Sequence, residues 1–424
     1  MKRLLLLSFA SIFIIVSLSG IALLAACTPV SFSHTGSTVT VSQETVTLPA
    51  TQAPTQEIIE PTATIEGPKT IEETATPEVM LPSWIAYIGL DGNVQLLDAN
   101  SGEQLAVTDD GSSAMDFPQP DHYFLYSDPA WSSDGTLLAY KRTENTKLSD
   151  RQDYMFSFMV YDLASGESRE LVSDKELSGF AWRPGTHLIA YTLMTDPNYF
   201  TARAEVNADL AKGIMAIDAE TGGTMELVKP QGYSLIQVQW SPDGQFASFY
   251  EIIYMEGKGN FAYYDFETQE YTSWGRAIGN HDWSPDDETL VYDDVTYVAT
   301  GEEQIYLNDR YDEGETIFAE GDSSYYASNP LFSPDGETVL YKETDASSDN
   351  NISNLLVKEL GGGKAESILE DTSIYDIRWS PDGEYALVVM GPYEHPTLLE
   401  VNVYDYTTRE LGNGWTPVWQ PLAQ

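Results

Sequence analysis

Three regimes of hydrophobic patterning follow one another along the chain. From Leu4 to Leu24 the positions are almost wholly apolar. From Thr28 to Ser83 polar residues dominate: thirteen Thr, seven Pro and five Ser fill 25 of 56 positions, and Phe32 is the only aromatic before Trp84. From Trp84 onward apolar and polar residues alternate in short runs, as in Leu235-Ile-Gln-Val-Gln-Trp240, separated by Pro, Asp and Gly. Alternation of period two gives a strand one face for a core and one for solvent. The runs after the separators are β-branched or aromatic, so paired runs read as hairpins.

The hairpins share one motif. It stands as Trp131-Ser-Ser-Asp-Gly-Thr-Leu-Leu-Ala-Tyr140 and Trp182-Arg-Pro-Gly-Thr-His-Leu-Ile-Ala-Tyr191, then as Trp240-Ser-Pro-Asp-Gly-Gln-Phe-Ala-Ser-Phe249 and Trp283-Ser-Pro-Asp-Asp-Glu-Thr-Leu-Val-Tyr292. Phe332-Ser-Pro-Asp-Gly-Glu-Thr-Val-Leu-Tyr341 and Trp379-Ser-Pro-Asp-Gly-Glu-Tyr-Ala-Leu-Val388 are the last full copies. Their aromatic starts lie 51, 58, 43, 49 and 47 residues apart. In the turn, Pro presets φ, Asp accepts from nearby backbone N–H groups, and Gly takes a left-handed conformation without strain. The leading aromatic reads as a wedge between neighbouring sheets; a ligand platform is the second reading, weaker because six regularly spaced copies suit packing.

A third and a fourth strand are expected after each hairpin. The third ends in Asp before a polar turn, as in Leu97-Asp98, Tyr161-Asp162, Ile217-Asp218, Tyr264-Asp265 and Tyr404-Asp405. These carboxylates could serve calcium or cap their own turns, and their fixed place in the turn favours capping. Trp84-Ile-Ala-Tyr87 carries the second half of the motif and Trp419-Gln-Pro421 the first half. Joined, they make a seventh copy, and 84–424 divided by seven is about 49 residues each. The expectation is an all-β, seven-bladed β-propeller of four-stranded antiparallel blades over 84–424, closed by the C-terminal strand.

At these residues the chain resembles the TolB-like, or WD-like, propeller repeats built on Trp-Ser-Pro-Asp-Gly, over about four fifths of its length. Three departures stand out: Arg183-Pro184-Gly185 lacks the Asp, Asp287 replaces the Gly, and Phe332 replaces the Trp. The resemblance implies a fold shared by periplasmic scaffolds, sensor domains, the non-catalytic propeller of prolyl peptidases and some lyases. It implies no particular reaction.

The first 26 residues open with Lys2 and Arg3, continue with the apolar run, and end in Leu24-Ala25-Ala26 before Cys27, the only Cys. This is the layout of an export signal. Its ending resembles the bacterial lipoprotein box, which implies cleavage before Cys27 and lipid attachment to its thiol. An uncleaved membrane helix is the competing reading. Residues 27–83 then read as a disordered, extended tether that holds the propeller away from the lipid. The expected location is the extracytoplasmic face of a bacterial membrane, with the bilayer itself as a partner through Cys27.

Composition narrows the partners. With 21 Lys+Arg against 66 Asp+Glu the formal charge is −45, and loss of Lys2 and Arg3 with the signal makes it 19 − 66 = −47. Nucleic acid is excluded as a partner, since phosphate contacts need clustered cations. One Cys excludes disulfide frameworks and Cys-cluster zinc sites. No Gly-x-Ser-x-Gly elbow, His-Glu-x-x-His, Walker loop or dinucleotide fingerprint is present. Outside the tether the histidines are His122, His187, His281 and His395, too scattered to read as a ligand set. No cofactor is expected. Calcium is possible at the oxygen-rich stretches 345–351 and 309–313, where a solvated acidic loop is the simpler reading.

The informative positions are the connections on the face opposite the Pro-Asp-Gly turns, at 109–126, 143–153, 320–327 and 391–396. Residues 196–212 read as a helix, with Asp196 as N-cap, Pro197 in the first turn and Gly213 as the stop. Aromatic residues on convergent loops suit binding. The expected contact residues are Phe117, His122, Tyr123, Tyr199, Arg203, Tyr325, Tyr326, Tyr393 and His395. The expected function is a monomeric, non-catalytic platform for a protein or cell-envelope glycan. The alternative is a metal-dependent propeller lyase or hydrolase acting on polysaccharide.

Overall fold

The computed structural model describes residues 83–424 except 114, 116–117, 197, 201–204, 254–258, 295–303, 310–313, 322–323, 346, 348–351 and 423–424. The signal, Cys27 and the tether therefore lie outside the described residues, apart from Ser83. Alternating sequence becomes strand almost throughout, and the sheets are antiparallel and sequential.

The first three strands are β1 (Trp84–Gly89), β2 (Val94–Asp98) and β3 (Gln104–Ala106). One four-stranded sheet follows from β4 (His122–Trp131), β5 (Leu137–Lys147), β6 (Gln152–Asp162) and β7 (Glu167–Asp174). The next holds β8 (Leu177–Trp182), β9 (Leu188–Leu193), β10 (Ile214–Asp218) and β11 (Thr224–Val228). A third holds β12 (Ser234–Trp240), β13 (Phe246–Ile252), β14 (Phe261–Asp265) and β15 (Glu270–Ser273). A fourth holds β16 (His281–Trp283), β17 (Thr289–Asp293), β18 (Ile305–Asp309) and β19 (Glu315–Ala319).

The remaining strands are β20 (Tyr325–Phe332), β21 (Thr338–Asp345), β22 (Ile352–Glu359), β23 (Glu366–Trp379), β24 (Tyr385–Met390), β25 (Thr397–Asn402) and β26 (Thr408–Trp419). They join β1, β2 and β3 in one ten-stranded sheet. Two long strands make that continuity. Residues 366–373 of β23 pair with β22, and 374–379 pair with β24. Likewise β26 pairs with β25 up to Asn413 and with β1 from Gly414 to Trp419. Each long strand thus ends one four-stranded group and begins the next.

The motif performs locally what its chemistry requires. In five of the turns the Ser hydroxyl donates to the Asp carboxylate two residues on and accepts the backbone N–H five residues on. Ser132, Ser241, Ser284, Ser333 and Ser380 all do so, at 2.5–2.7 Å to the Asp and 2.9–3.0 Å from the N–H. Where Arg183-Pro-Gly lacks the Asp, Thr186 substitutes: its hydroxyl donates to the Arg183 carbonyl at 2.9 Å and accepts from Leu188 N at 3.2 Å. Asp287, in place of Gly, holds φ at +62° and accepts the Asp243 N–H of the neighbouring sheet's turn at 3.2 Å.

The leading aromatics are wedges. Trp131, Trp182, Trp240, Trp283, Phe332 and Trp419 are buried, and Trp379 is partly buried. The Trp182 indole N–H donates to the Ala130 carbonyl at 2.9 Å and that of Trp379 to the Leu331 carbonyl at 3.1 Å, each crossing to the inner strand of the preceding four-stranded group. Hydrophobic clusters fill the space between successive sheets. A further cluster packs Ile85, Tyr87 and Leu97 against Leu387, Leu398 and Trp419, joining the two ends of the described chain. Replacing a buried Trp of this kind by Ala costs about 3–5 kcal/mol.

The helix expected over 196–212 is not found among its described residues. Tyr199 follows a turn at Asp196, Phe200 bridges Val206, and a single 3-10 turn spans Ala208–Leu210, capped by Asn207. Tertiary contacts override the local signals: Tyr199 is drawn into the sheets, and its hydroxyl needs backbone partners there.

Candidate functional site: an aromatic group on the long-loop face

Strands β4, β12, β20 and the second halves of β23 and β26 each run from the long-loop face toward the motif turn. Four of them are irregular at one shared position, whereas in β23 the register slips at Tyr375. Asp128, Gln237, Asn329 and Thr416 all have positive φ, 48–57°, and each lies three residues before a wedge aromatic. The pairing register slips there by one residue, the signature of a β-bulge. One residue earlier, Tyr375 and Trp415 occupy equivalent places, four before Trp379 and four before Trp419. They stand side by side at the long-loop ends of adjacent inner strands.

Tyr393, from the connection between β24 and β25, closes the group. The ring centroids are 5.4 Å apart for Tyr375–Trp415, 4.8 Å for Tyr393–Trp415 and 5.8 Å for Tyr375–Tyr393, with planes inclined by 56–76°. Tyr375 is 38% exposed and Tyr393 52%. The rings brace one another, the two tyrosines exposed and Trp415 half-buried against two hydrophobic clusters. Burial, then the Glu394 carboxylate, push the Tyr375 phenol above its usual range. Next in the strand, the Asp376 carboxylate holds the Arg378 guanidinium at 2.9 Å. Burial raises Asp376, while Arg378, the Ile377 N–H and Lys342 oppose that shift.

The other expected contact residues do not gather into one patch. Phe117 and Arg203 lie outside the described residues. His122 and Tyr123 are not loop residues: β4 extends over them, and the His122 Nε2 meets Glu144 Oε1 at 2.8 Å with its ring edge-on to Phe124. Tyr199 is fully buried, its hydroxyl donating to the Ile252 carbonyl at 2.8 Å and accepting from Ser234 N at 3.0 Å, so it is a structural anchor and no contact residue. Tyr325 is 40% exposed and Tyr326 half-buried, both at the start of β20 rather than in a loop. His395 is exposed in the loop that carries Tyr393. Of the nine, Tyr393 alone belongs to the aromatic group. Tyr375 and Trp415 were not anticipated, although their offset of four from a wedge was legible.

The histidines are dispersed. His281 is buried, with Nε2 2.8 Å from Ser248 Oγ and Nδ1 3.1 Å from the Tyr250 hydroxyl. His187 lies on the motif-turn side, between Glu220 at 2.8 Å and Asp134 at 3.0 Å. Among the described residues no three His, Cys, Asp or Glu side chains converge as a metal site. The third-strand carboxylates cap their turns: Asp98, Asp162, Asp218 and Asp265 accept backbone N–H groups two or three residues on at 2.8–3.3 Å. In the last group Asn402, not Asp405, takes this place, accepting from Tyr404 and Asp405 N–H. Asp345 accepts from Ser347 N and Oγ; residues 346, 348–351 and 310–313 of the two acidic stretches lie outside the described residues.

Sequential four-stranded antiparallel sheets with inter-sheet wedges define the class: an all-β protein of β-propeller type. Two solved structures with TM-scores above 0.5 agree. The chain is similar to a prolyl endopeptidase at 12% identity and a TM-score of 0.56, over 81% of this chain and 51% of that one. It therefore spans about half the length of that enzyme. It is similar to an oligogalacturonate lyase solved with manganese at 13% identity and a TM-score of 0.55, over 78% of this chain and 85% of the lyase. TolB from Acinetobacter baumannii is also similar, at 12% identity and a TM-score of 0.44, over 73% of this chain and 89% of TolB. No protein-family model and no curated protein sequence matches the chain. Likeness at such identities concerns the fold alone.

Proposed function

We propose that this chain is a seven-bladed propeller closed by its C-terminal strand and held by a lipidated Cys27 on the outer side of a bacterial membrane. There it acts as a non-catalytic binding platform for a protein or envelope polymer. The pairing of β26 with β1, and seven hydrophobic clusters for seven four-stranded groups, support the architecture. Leu24-Ala25-Ala26-Cys27 and the polar tract after it support the anchor.

The observation that carries the function is the pair of exposed rings, Tyr375 and Tyr393, braced by half-buried Trp415 at the end of two adjacent inner strands. Large rigid rings held by a scaffold are the residues that dominate binding energy at interfaces. The test immobilises the full chain in nonionic detergent and captures partners from native envelopes. A stoichiometric partner, or an enriched glycan, is expected with wild type. It is lost with Tyr375→Ala/Tyr393→Ala, and the Tyr325→Ala/Tyr326→Ala variant measures how far the surface extends. Equal capture by every variant overturns the assignment. Turnover of an acidic polysaccharide by the purified chain, abolished by chelator, would replace it with the enzymatic reading.

A further inference from the structure

Several aromatic groups of this fold are capped by a cation from the same chain. Arg142 lies over Phe124 at 5.4 Å, Lys141 over Phe156 at 4.6 Å, and Lys358 over Phe318 at 4.6 Å. Arg183 covers Trp240 and Phe266, each at 5.1 Å, and Arg276 covers Trp274 and Tyr292, each at 5.4 Å. The negative face of an aromatic ring attracts a cation, and in an acidic protein with 21 basic residues these placements consume scarce charge.

The Tyr375–Tyr393–Trp415 group carries no such cap. Two of its rings are more than a third exposed, yet among the described residues no Lys or Arg lies over any of the three. The nearest cation in sequence, Arg378, is held elsewhere: its Nη1 donates to Asp376 Oδ1 and to the Ile377 carbonyl, both at 2.9 Å. The charge that does reach the group is negative, from Glu394. A formal charge of −45 adds a long-range field of the same sign. An anionic polymer would be repelled from such a surface. A cation would be attracted by the rings, by Glu394 and by the whole molecule.

We infer that the partner of this surface is a protein segment presenting Arg or Lys, whose cationic side chain completes the Tyr375–Tyr393–Trp415 group from outside. This rests on the binding-platform reading and supplies the chemistry of its partner. An arginine fits best, because its flat guanidinium stacks on rings while its N–H groups reach a neighbouring carboxylate.

The test uses the full chain in nonionic detergent and a fluorescein-labelled dodecapeptide of alternating Gly and Arg, read by anisotropy at about 150 mM salt, where long-range attraction is largely screened. Its control is the same peptide with citrulline for arginine, isosteric but neutral. The Arg peptide is expected to bind and the citrulline peptide to bind at least about tenfold more weakly. Tyr375→Ala/Tyr393→Ala should weaken the Arg peptide about three- to tenfold, the loss of one or two exposed cation–π contacts. Tyr375→Phe/Tyr393→Phe keeps the rings and should bind like wild type, which separates ring loss from misfolding. Tyr404→Ala, which removes a 72% exposed ring outside the group, should change nothing.

Arg-peptide binding that is equal in the Ala double variant would mean general electrostatics and overturn the inference. Equal binding of the citrulline peptide would overturn it while leaving a platform for uncharged partners. Displacement of the Arg peptide by millimolar phosphocholine together with absence of any difference between the two peptides would point to a lipid headgroup instead. Failure of both peptides refutes the inference alone, because partner capture from envelopes judges the platform reading separately.

Discussion

Replacing Arg409 by Ala tests whether the ends of the chain are locked together as the pairing of β26 with β1 implies. The Arg409 guanidinium grips Glu400 with two bonds, Nε to Oε1 at 3.0 Å and Nη2 to Oε2 at 2.7 Å, and its Nη1 donates to the Ala99 carbonyl at 2.8 Å. It thus ties β25 and β26 to the turn after β2. Arg169 on β7 reaches the Ala219 carbonyl after β10 in the same way, between two sheets that are neighbours in sequence. The Glu400 side chain is only 8% exposed, so truncation strands a buried carboxylate. Breaking a buried pair costs about 3–5 kcal/mol. Arg409 is 49% exposed, so water can recover part of this, and the expected loss is about 2–3 kcal/mol. For a domain of this size that lowers the melting temperature by about 5 °C. The assay is thermal and urea unfolding at pH 7, followed by circular dichroism. Glu400→Gln/Arg409→Met removes the buried charge with its partner and should recover to within about 1 kcal/mol of wild type. An Arg409→Ala protein that melts within about 1 °C of wild type, or a double variant no better than the single, would refute the reasoning.

Three further outcomes are expected. His187 faces a carboxylate from each ring nitrogen, Asp134 and Glu220, with Asp218 close enough to feel its charge, and a neutral imidazole has only one N–H to donate. Burial opposes its protonation, but the bonds to Glu220 and Asp134 outweigh it and raise the pKa. Its contribution is therefore full below about pH 6.5 and is lost as pH rises through the raised value; wild type minus His187→Gln stability, measured by urea melts from pH 5 to 9, should fall with pH, and a flat difference contradicts the arrangement. Asp282 is pushed up to about 7 by burial, against the Phe332 and Trp283 N–H groups and Arg378. Folding should then lose stability from about pH 4 to about pH 7 through this group, and Asp282→Asn should flatten that slope in urea melts extended down to about pH 4. At Gly414 a Cβ would lie 2.6 Å from both the Ile88 carbonyl oxygen and the Tyr87 ring, so Gly414→Ala should destabilise by about 1–3 kcal/mol; an unchanged urea midpoint would show that β1 and β26 do not pack as described.

What the sequence made legible, and what it hid, divides along physical lines. The wedges and turns were readable because their chemistry closes within five residues, as Ser241, Asp243 and the Phe246 N–H do. Where Thr186 replaces the missing Asp, the same local logic still yields a turn. The stretch 196–212 was misread because Asp196, Pro197 and the alanines give helix signals. Tyr199 answers to Ile252 and Ser234 instead, which are distant in sequence. Strands β4 and β20 run further than their alternation suggests, so His122, Tyr123, Tyr325 and Tyr326 lie on sheet rather than loop. Of the aromatic group only Tyr393 is visible from the sequence. Its other members hide in plain strand sequence, since nothing local sets Tyr375 or Trp415 apart. They become conspicuous only when the copies are aligned on the wedge, because at the position four before it the other inner strands carry Ser127, Ser178, Ile236, Gly279 and Ser328. Two aromatics at one register position in adjacent copies meet, their ring centroids 5.4 Å apart, since the repeat places that position at the same height in both. In a repeat protein the residues that agree between copies specify the fold. Those that break the agreement in neighbouring copies mark the surface for which binding is proposed.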